Sequence, residues 1–194
     1  MTSIVNLVSG GLDSTLVGVL NRELGIDQFP LFIDYGQRAR AREWIVCQSV
    51  HKDLSLPTPV RMDLSGFGTV IQSGLTSESR NITDEAFTPG RNFLFLLMAA
   101  SYAYQVGAGS VSIGLLAERF SLFPDQKSEF LKAAEQSITV ALGRRIQVVA
   151  PLGDFSKSEV VAIAKSKGIA NTYSCHAGGE IPCGKCISCR EYIN

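Results

Sequence analysis

The residues best suited to chemistry open the chain: Ser9-Gly10-Gly11-Leu12-Asp13-Ser14, directly behind the apolar run Ile4-Val5-Asn6-Leu7-Val8. Gly10 and Gly11 allow a tight turn and a close backbone approach to a ligand. Serine hydroxyls and the unpaired N–H groups of a following helix make an anion site, assisted by the helix dipole. That combination suits a pyrophosphate. It is neither the Gly-Lys-Ser/Thr ending of a Walker loop nor the Gly-x-Gly-x-x-Gly dinucleotide turn. The plainer alternative is an ordinary strand–helix connection with Asp13 or Ser14 as a helix cap.

A second constellation lies at the other end. Cys175 precedes Cys183-Gly184-Lys185-Cys186-Ile187-Ser188-Cys189, giving four thiolates, enough for a closed tetrahedral Zn²⁺ site of structural type. Gly178, Gly179 and Gly184 permit the turns such a knot needs. The spacing is also compatible with an iron–sulfur cluster; zinc is preferred because no further cluster-type motif appears. His176 is read as a bystander beside a ligand, and neither His176 nor His51 has an evident catalytic partner.

These residues need elements to hold them. The run at 4–8 reads as a buried strand, and residues 15–20 continue at helical spacing. Further strands are expected at 28–35, 60–64, 110–114 and 146–150. Helices are expected at 39 to about 52, 93 to about 106, and 128–142, with a last one capped by Ser156 and Glu159 and ended by Gly168. The stretch 65–89, rich in Ser, Thr, Gly and Asn, reads as a lid or binding loop, or as partly disordered. Alternating strands and helices predict an α/β fold, a doubly wound parallel sheet. Its ligands bind beyond the carboxyl ends of the strands. Residues 1–170 form the main domain, and 171–194 a four-cysteine tail.

Composition narrows the partners. Equal numbers of basic and acidic residues, 18 each, give no bulk attraction to nucleic acid or anionic membrane. The longest apolar run, 93–100, is too short to span a bilayer. The first strand begins almost at the initiating Met1, leaving no room for a signal peptide. With five cysteines, four of them clustered, a secreted disulfide framework is disfavoured, and a cytoplasmic location is expected.

The motif Val8-Ser9-Gly10-Gly11-Leu12-Asp13-Ser14-Thr15 resembles the pyrophosphate loop of the N-type ATP pyrophosphatases, whose fold is the adenine nucleotide alpha hydrolase type. With Asp34-Tyr35-Gly36-Gln37-Arg38, Pro89-Gly90-Arg91-Asn92 and the cysteine tail, in order over nearly the whole chain, it is similar to the 7-cyano-7-deazaguanine synthases or a divergent paralogue. The resemblance implies two adenylations. ATP activates the carboxylate of 7-carboxy-7-deazaguanine, ammonia gives the amide, and a second adenylation allows elimination to the nitrile. It implies that residues 8–15 hold ATP with Mg²⁺, and that Asp13, Ser14 and Lys157 serve catalysis. Tyr35, Arg38, Gly90, Arg91, Asn92, Phe120 and Asp125 would bind the acid, and Cys175, Cys183, Cys186 and Cys189 would bind zinc. A homodimer acting on a small molecule, without membrane or direct nucleic-acid substrate, is also implied.

One loop departs from the pattern. The synthases carry an acidic residue and then aromatic-Ser-Gly-Tyr-Pro-Asp-Cys/Thr-Arg. Here the chain reads Glu118-Arg119-Phe120-Ser121-Leu122-Phe123-Pro124-Asp125-Gln126-Lys127. Arg119 stands where the acid is expected, and Glu118 offers a carboxylate one residue away. The alternatives are a paralogue using another carboxylate or stopping at an amide, a tRNA-modifying enzyme of the superfamily, and a non-enzymatic zinc module.

Overall fold

A computed structural model describes residues 3–191; Met1, Thr2 and the tail residues Tyr192, Ile193 and Asn194 lie outside the described residues. The elements run β1 (Ser3–Val8), α1 (Leu12–Glu23), β2 (Asp27–Asp34), α2 (Arg40–Asp53), β3 (Val60–Asp63), α3 (Gly66–Val70) and α4 (Arg91–Val106). They continue with β4 (Ser110–Ser112), α5 (Ser128–Leu142), β5 (Gln147–Val149), α6 (Lys157–Ser166) and α7 (Ile187–Arg190). Two 3-10 turns, Glu118–Phe120 and Pro124–Gln126, sit between β4 and α5. The expected doubly wound sheet is present, parallel throughout and ordered β3-β2-β1-β4-β5.

That order places β1 in the centre, with β2 on one side and β4 on the other. Connections from β1 therefore diverge, and a crevice opens between the carboxyl ends of β1 and β4. The loop 9–14 leaves from one lip of this crevice, and Gly114 follows β4 on the other. Strand alternation sets the two faces. Val5, Leu31, Ile33 and Val111 pack with Leu96, Ala99 and Ile138 of α4 and α5. Val8 and Phe32 point the opposite way, onto Cys47 and Trp44 of α2. On that side α1 and α6 also join through Leu12, Leu16, Val17 and Val160. Each wholly buried leucine here, such as Leu16 or Leu96, contributes about 1.5–3 kcal/mol of transfer free energy.

The core is not wholly apolar. Asn6, buried in β1, accepts from Asn21 Nδ2 of α1 (2.9 Å) and from Ser112 Oγ of β4 (2.6 Å), and its own amide donates to Gln28 Oε1 of β2 (2.5 Å). Gln28 Nε2 then donates to Gly18 O at 3.1 Å. One asparagine thus ties the central strand to both sheet neighbours and to the first helix.

Several expectations are corrected. The stretch 65–89 is a folded excursion: it contains α3, Gly74 N–H donates to Glu85 O (2.6 Å), and the buried hydroxyls of Ser73 and Thr88 pair at 2.6 Å. Its polar residues bond to one another, so composition alone read as looseness. Neither Asp13 nor Ser14 caps α1, whose N-cap is Gly11 without a side-chain cap. The Ser156–Glu159 capping box does form on α6. His51 also has a partner, with Nδ1 2.7 Å from Pro57 O.

Replacing Asn6 by leucine leaves Asn21 and Ser112 facing an apolar group. We expect a loss of about 3 kcal/mol, from desolvated polar groups left unpaired. It would appear as a lower urea midpoint at unchanged slope; an unchanged midpoint would show the network to be energetically idle.

Candidate active site

The pyrophosphate-type loop is held open by its own serines. Ser14 Oγ accepts from Ser9 N–H (3.2 Å), donates to Gly11 O (3.2 Å) and lies 3.2 Å from Ser9 Oγ. Ser9 Oγ also accepts from Gly11 N–H at 3.3 Å. The first turn of α1 closes when Thr15 N–H reaches Gly11 O (3.1 Å), so the N–H groups ahead of it face the crevice without intrahelical partners. Gly10 adopts φ +78°, and a Cβ there would lie 2.8 Å from Cys47 N and 2.9 Å from Glu43 O. Only glycine lets the loop rest on α2 in this way.

Charged groups ring the crevice. Lys157, first residue of α6, donates to both carboxylate oxygens of Asp13 (2.8 and 2.9 Å) and lies 3.2 Å from Glu191 Oε2. Asp13, Glu191 and Lys157 thus form a three-membered ion cluster between α1, α6 and the tail. Burial raises the Glu191 carboxyl above the usual range, and Lys157 opposes that shift. Arg91, at the start of α4, lies over the rings of Tyr35 and Phe95, 5.8 Å from each centroid. Glu43 of α2 accepts from Gln37 Nε2 at 3.0 Å. Part of Glu43 stays accessible, but its carboxyl is enclosed, and burial pushes it up to about 7 against the pull of Gln37 and Arg91. His176, whose buried Nδ1 has no partner among the described residues, is held down to about 4 by burial and by Arg91.

Two adjoining recesses share Asp13, Arg91, Gly114, Leu115, His176 and Ser188 as walls and form one cleft. One recess contains Val8, Ser9, Gly11, Leu12 and Ser14 with Tyr35, Gln37, Glu43 and Asn92; the other contains Phe120, Ser121, Leu122, Phe123 and Gln126. Most expected residues converge here. Gly10 and Thr15 pack behind the loop. Gly90 serves as the left-handed N-cap that sets Arg91 into the cleft. Asn92 donates to the Asp125 carbonyl (2.9 Å), tying α4 to the second recess, while the Asp125 side chain is not among its walls. Arg38 lies outside the cleft, on a surface groove with Arg80, Lys185 and Arg190. Glu118, offered as a substitute acid, accepts from Ser128 N–H (3.3 Å) and Oγ (2.8 Å) at the start of α5. Arg119 lies over the Phe120 ring at 4.9 Å.

Glu43, His176, Ser188 and Glu191 were not singled out from sequence as cleft residues. Glu43 could have been found as the fifth residue after Arg38 on the face of α2 that meets the loop. The others arrive because the tail folds back: Tyr173 N–H donates to Gly10 O (2.9 Å), and Ser174 Oγ lies 3.2 Å from where a Gly11 Cβ would be.

The sulfurs of Cys175, Cys183, Cys186 and Cys189 lie within 4.8 Å of one another. A tetrahedral zinc with Zn–S bonds of about 2.3 Å requires sulfurs about 3.8 Å apart, so the donor set fits. Backbone N–H groups already point at the sulfurs: Cys183 N–H to Cys175 (3.2 Å), and Cys186 N–H to Cys183 (3.4 Å). The cluster could hold a metal ion. With all four positions supplied by protein, it would staple the tail rather than activate a substrate.

The sequence model described as queuosine biosynthesis protein QueC matches residues 3–192. The chain is 33% identical over 198 residues to a 7-cyano-7-deazaguanine synthase of Oceanobacillus iheyensis, spanning 96% of this chain and 89% of that protein. It is 30% identical to the synthase of the same description from Campylobacter concisus, over 100% and 93% of the two chains. Among solved structures, a 4-thiouridine synthetase–RNA complex with bound ATP superposes with TM-score 0.56 and 22% identity, covering 87% of this chain and 41% of that one. A predicted subunit of tRNA methyltransferase from Methanocaldococcus jannaschii gives TM-score 0.58 at 16% identity, covering 85% and 75%. These likenesses show a shared fold. No helix among the described residues is long and apolar enough to cross a membrane.

Cys186 is wholly buried within the cluster. We expect Cys186→Ser to lose the bound metal by elemental analysis and to lower stability by at least about 3 kcal/mol, or about 6–12 °C in Tm. Unchanged metal content and Tm would remove the stapling role.

Proposed function

The chain belongs to the family of queuosine biosynthesis protein QueC, and on that footing we propose that it makes 7-cyano-7-deazaguanine from 7-carboxy-7-deazaguanine, ammonia and ATP. The supporting observation is the placement of Lys157 on Asp13 at the mouth of a helix-N-terminal anion loop, with Arg91 in the same cleft. A carboxylate is a poor electrophile. Its oxygen attacks the α-phosphorus of ATP, pyrophosphate leaves, and the acyl adenylate carries AMP as its leaving group. Ammonia displaces AMP to give the amide. The amide oxygen is adenylated in turn; loss of both N–H protons and of AMP, which takes the C–O bonding pair, gives the nitrile.

The protein's share is positioning and charge compensation. Ser9, Ser14 and the free N–H groups of α1 receive the leaving pyrophosphate. Lys157 exchanges its contact with Asp13 for a phosphate oxygen, which frees the Asp13 carboxylate. Asp13 would then hold the Mg²⁺ that accompanies ATP and neutralises phosphate charge. Arg91, lacking a carboxylate partner among the described residues and suited to bidentate contacts, receives the acid. The four thiolates would hold zinc, fixing residues 171–194 as a tail on the ATP-binding domain of residues 1–170. The enzyme would act as a cytoplasmic homodimer.

A second reading is favoured by the loop at 115–127. With Glu118 engaged by Ser128 and Arg119 on Phe120, no carboxylate from this loop lines the second recess. A paralogue that adenylates another planar acid, or stops at the amide, fits that arrangement.

Pyrophosphate release with 7-carboxy-7-deazaguanine and ammonium, with products read by mass, tests both. Nitrile is expected; an amide endpoint, or inertness toward this acid in a protein that binds ATP, selects the second reading. Asp13→Ala and Lys157→Met are each expected to lower kcat by about 10²–10³-fold. Intact turnover in either would overturn the assignment of the loop.

A further inference from the structure

We propose that Glu43, oriented by Gln37 beside the pyrophosphate-type loop, binds ammonium in the cleft and takes a proton from it to release the ammonia that attacks. This deepens the proposed function and rests on it. Ammonium is overwhelmingly protonated at neutral pH and has no lone pair to give. An enzyme joining it to an acyl adenylate needs an anion to hold it and a base to unmask it, close to the group that holds the acid.

The geometry supplies both poles in one cleft. Gln37 is clamped: its Oε1 accepts from Tyr35 N–H (2.9 Å), and its Nε2 donates to Ile33 O (3.3 Å) and Glu43 Oε2 (3.0 Å). The amide therefore presents N–H to Glu43 and keeps the carboxyl turned into the recess. Among the described residues, Gln37 is the one hydrogen-bond donor seen on Glu43, which leaves Oε1 for a ligand that donates. The cations nearby are otherwise held. Arg61 is on Asp34 at 2.6 Å, Arg42 lies over Tyr173, and Arg91 lies on Tyr35 and Phe95. Arg91 is near enough to stabilise a charged Glu43 without an ion pair. Among the described residues, Arg91 has ring and neutral hydrogen-bond contacts but no carboxylate, and Glu43 has no cation on it; the two in one cleft suit an acid and an ammonium brought together.

The groups facing Glu43 are Asp34 at the end of β2 and Tyr35 just after it, Arg91 from α4, Tyr173 from the tail and Cys47 on its own helix. Asp34 disfavours its charge and Arg91 favours it, but burial outweighs both and brings the carboxyl up to about 7. A base with that proton affinity is half-ionised near neutral pH and accepts a proton more readily than an ordinary carboxylate. The step balances. One ammonium N–H bond breaks and its proton moves to the Glu43 carboxylate. The freed lone pair forms the C–N bond, and the C–O bond to AMP breaks with its electron pair on the phosphate oxygen. The surplus proton on nitrogen, and then that on Glu43, pass to water.

The test compares wild type, Glu43→Gln and Glu43→Asp in three assays: acid-dependent ATP–pyrophosphate exchange without ammonium, amide and nitrile formation against ammonium, and hydroxamate formation. Hydroxylamine is neutral at pH 7 and needs no unmasking. For Glu43→Gln we expect kcat/KM for ammonium to fall about 10²–10³-fold while hydroxamate formation changes less than about fivefold. The wild-type ammonium rate should rise with pH and level off above about 7, where Glu43 is ionised; in Glu43→Gln it should instead climb with the free-ammonia fraction without a plateau, and Glu43→Asp should restore the plateau in part. Parallel losses in exchange, hydroxamate and ammonium assays would make Glu43 a ligand of the acid's ring or a support of the loop. An unaltered ammonium reaction would overturn the proposal outright. Should Glu43→Gln fail to fold, the pH profile of wild type against Glu43→Asp decides it. Absence of exchange in wild type would instead sink the parent reading, and this one with it.

Discussion

Everything in the cleft depends on one close approach, that of Gly10 to α2. The loop after β1 lies so near Glu43 O and Cys47 N that any Cβ at Gly10 would overlap backbone, and its φ of +78° is one that other residues enter at a cost. The same residue accepts from Tyr173 N–H through its carbonyl. Three segments far apart in sequence are brought together at one glycine: the central turn, the second helix and the start of the cysteine tail. Glu43 reaches the cleft because α2 is pressed against the loop. His176 and Ser188 reach it because the tail is anchored there.

This junction couples the cysteine cluster to the wall of the cleft. Cys175 and Cys186 pack with Val46, Val50 and Ala39 of the α2 region, and α7 carries Ser188 into the cleft wall. The chain then delivers Glu191 to Lys157. A tail with so little apolar mass of its own would gain rigidity from metal–thiolate bonds at this cluster. Losing them would slacken the wall around Asp13 and Lys157, although no sulfur touches a reacting atom.

The legible parts of the sequence were those with local causes. The run at 4–8, the Ser156–Glu159 cap and the helix at 128–142 are each specified within a few residues, and each stands where expected. The spacing of the four cysteines likewise pointed to sulfurs that converge, and they lie within 4.8 Å of one another. Convergence of distant residues was harder to see. Arg38 and Glu43 are five apart, yet Arg38, just ahead of α2, lies on a surface groove while α2 turns Glu43 into the cleft. Choosing between them requires knowing which face of the helix meets Gly10. For the stretch 65–89 the disordered alternative fails, because hydrogen bonds within it, such as Ser73 to Thr88, satisfy its polar residues in place of solvent, while Leu75 and Ala86 do line the cleft.

The second recess shows how a changed loop can keep its place while altering what it recognises. Gln126 Oε1 accepts from the N–H groups of Leu122 (2.8 Å) and Phe123 (3.0 Å), so the loop is organised by its own glutamine. Phe123 leans on Phe87 at 5.2 Å, joining it to the 65–89 excursion, and Leu75 and Ala86 supply the facing wall. The loop's own share of the recess is aromatic and aliphatic, suited to the faces of a flat ring, while Asp13, Arg91 and Glu191 bring charge from the opposite walls. Ring-face contacts tolerate many heterocycles, whereas a carboxylate against ring N–H groups selects one and penalises those lacking them. With Glu118 drawn off to the start of α5, the loop adds no carboxylate of its own, and its contribution to discrimination would rest on shape. The reactive end, with Arg91, Lys157 and the loop, rests on charge. An enzyme so divided would adenylate acids of similar outline more evenly than one with a carboxylate in the slot.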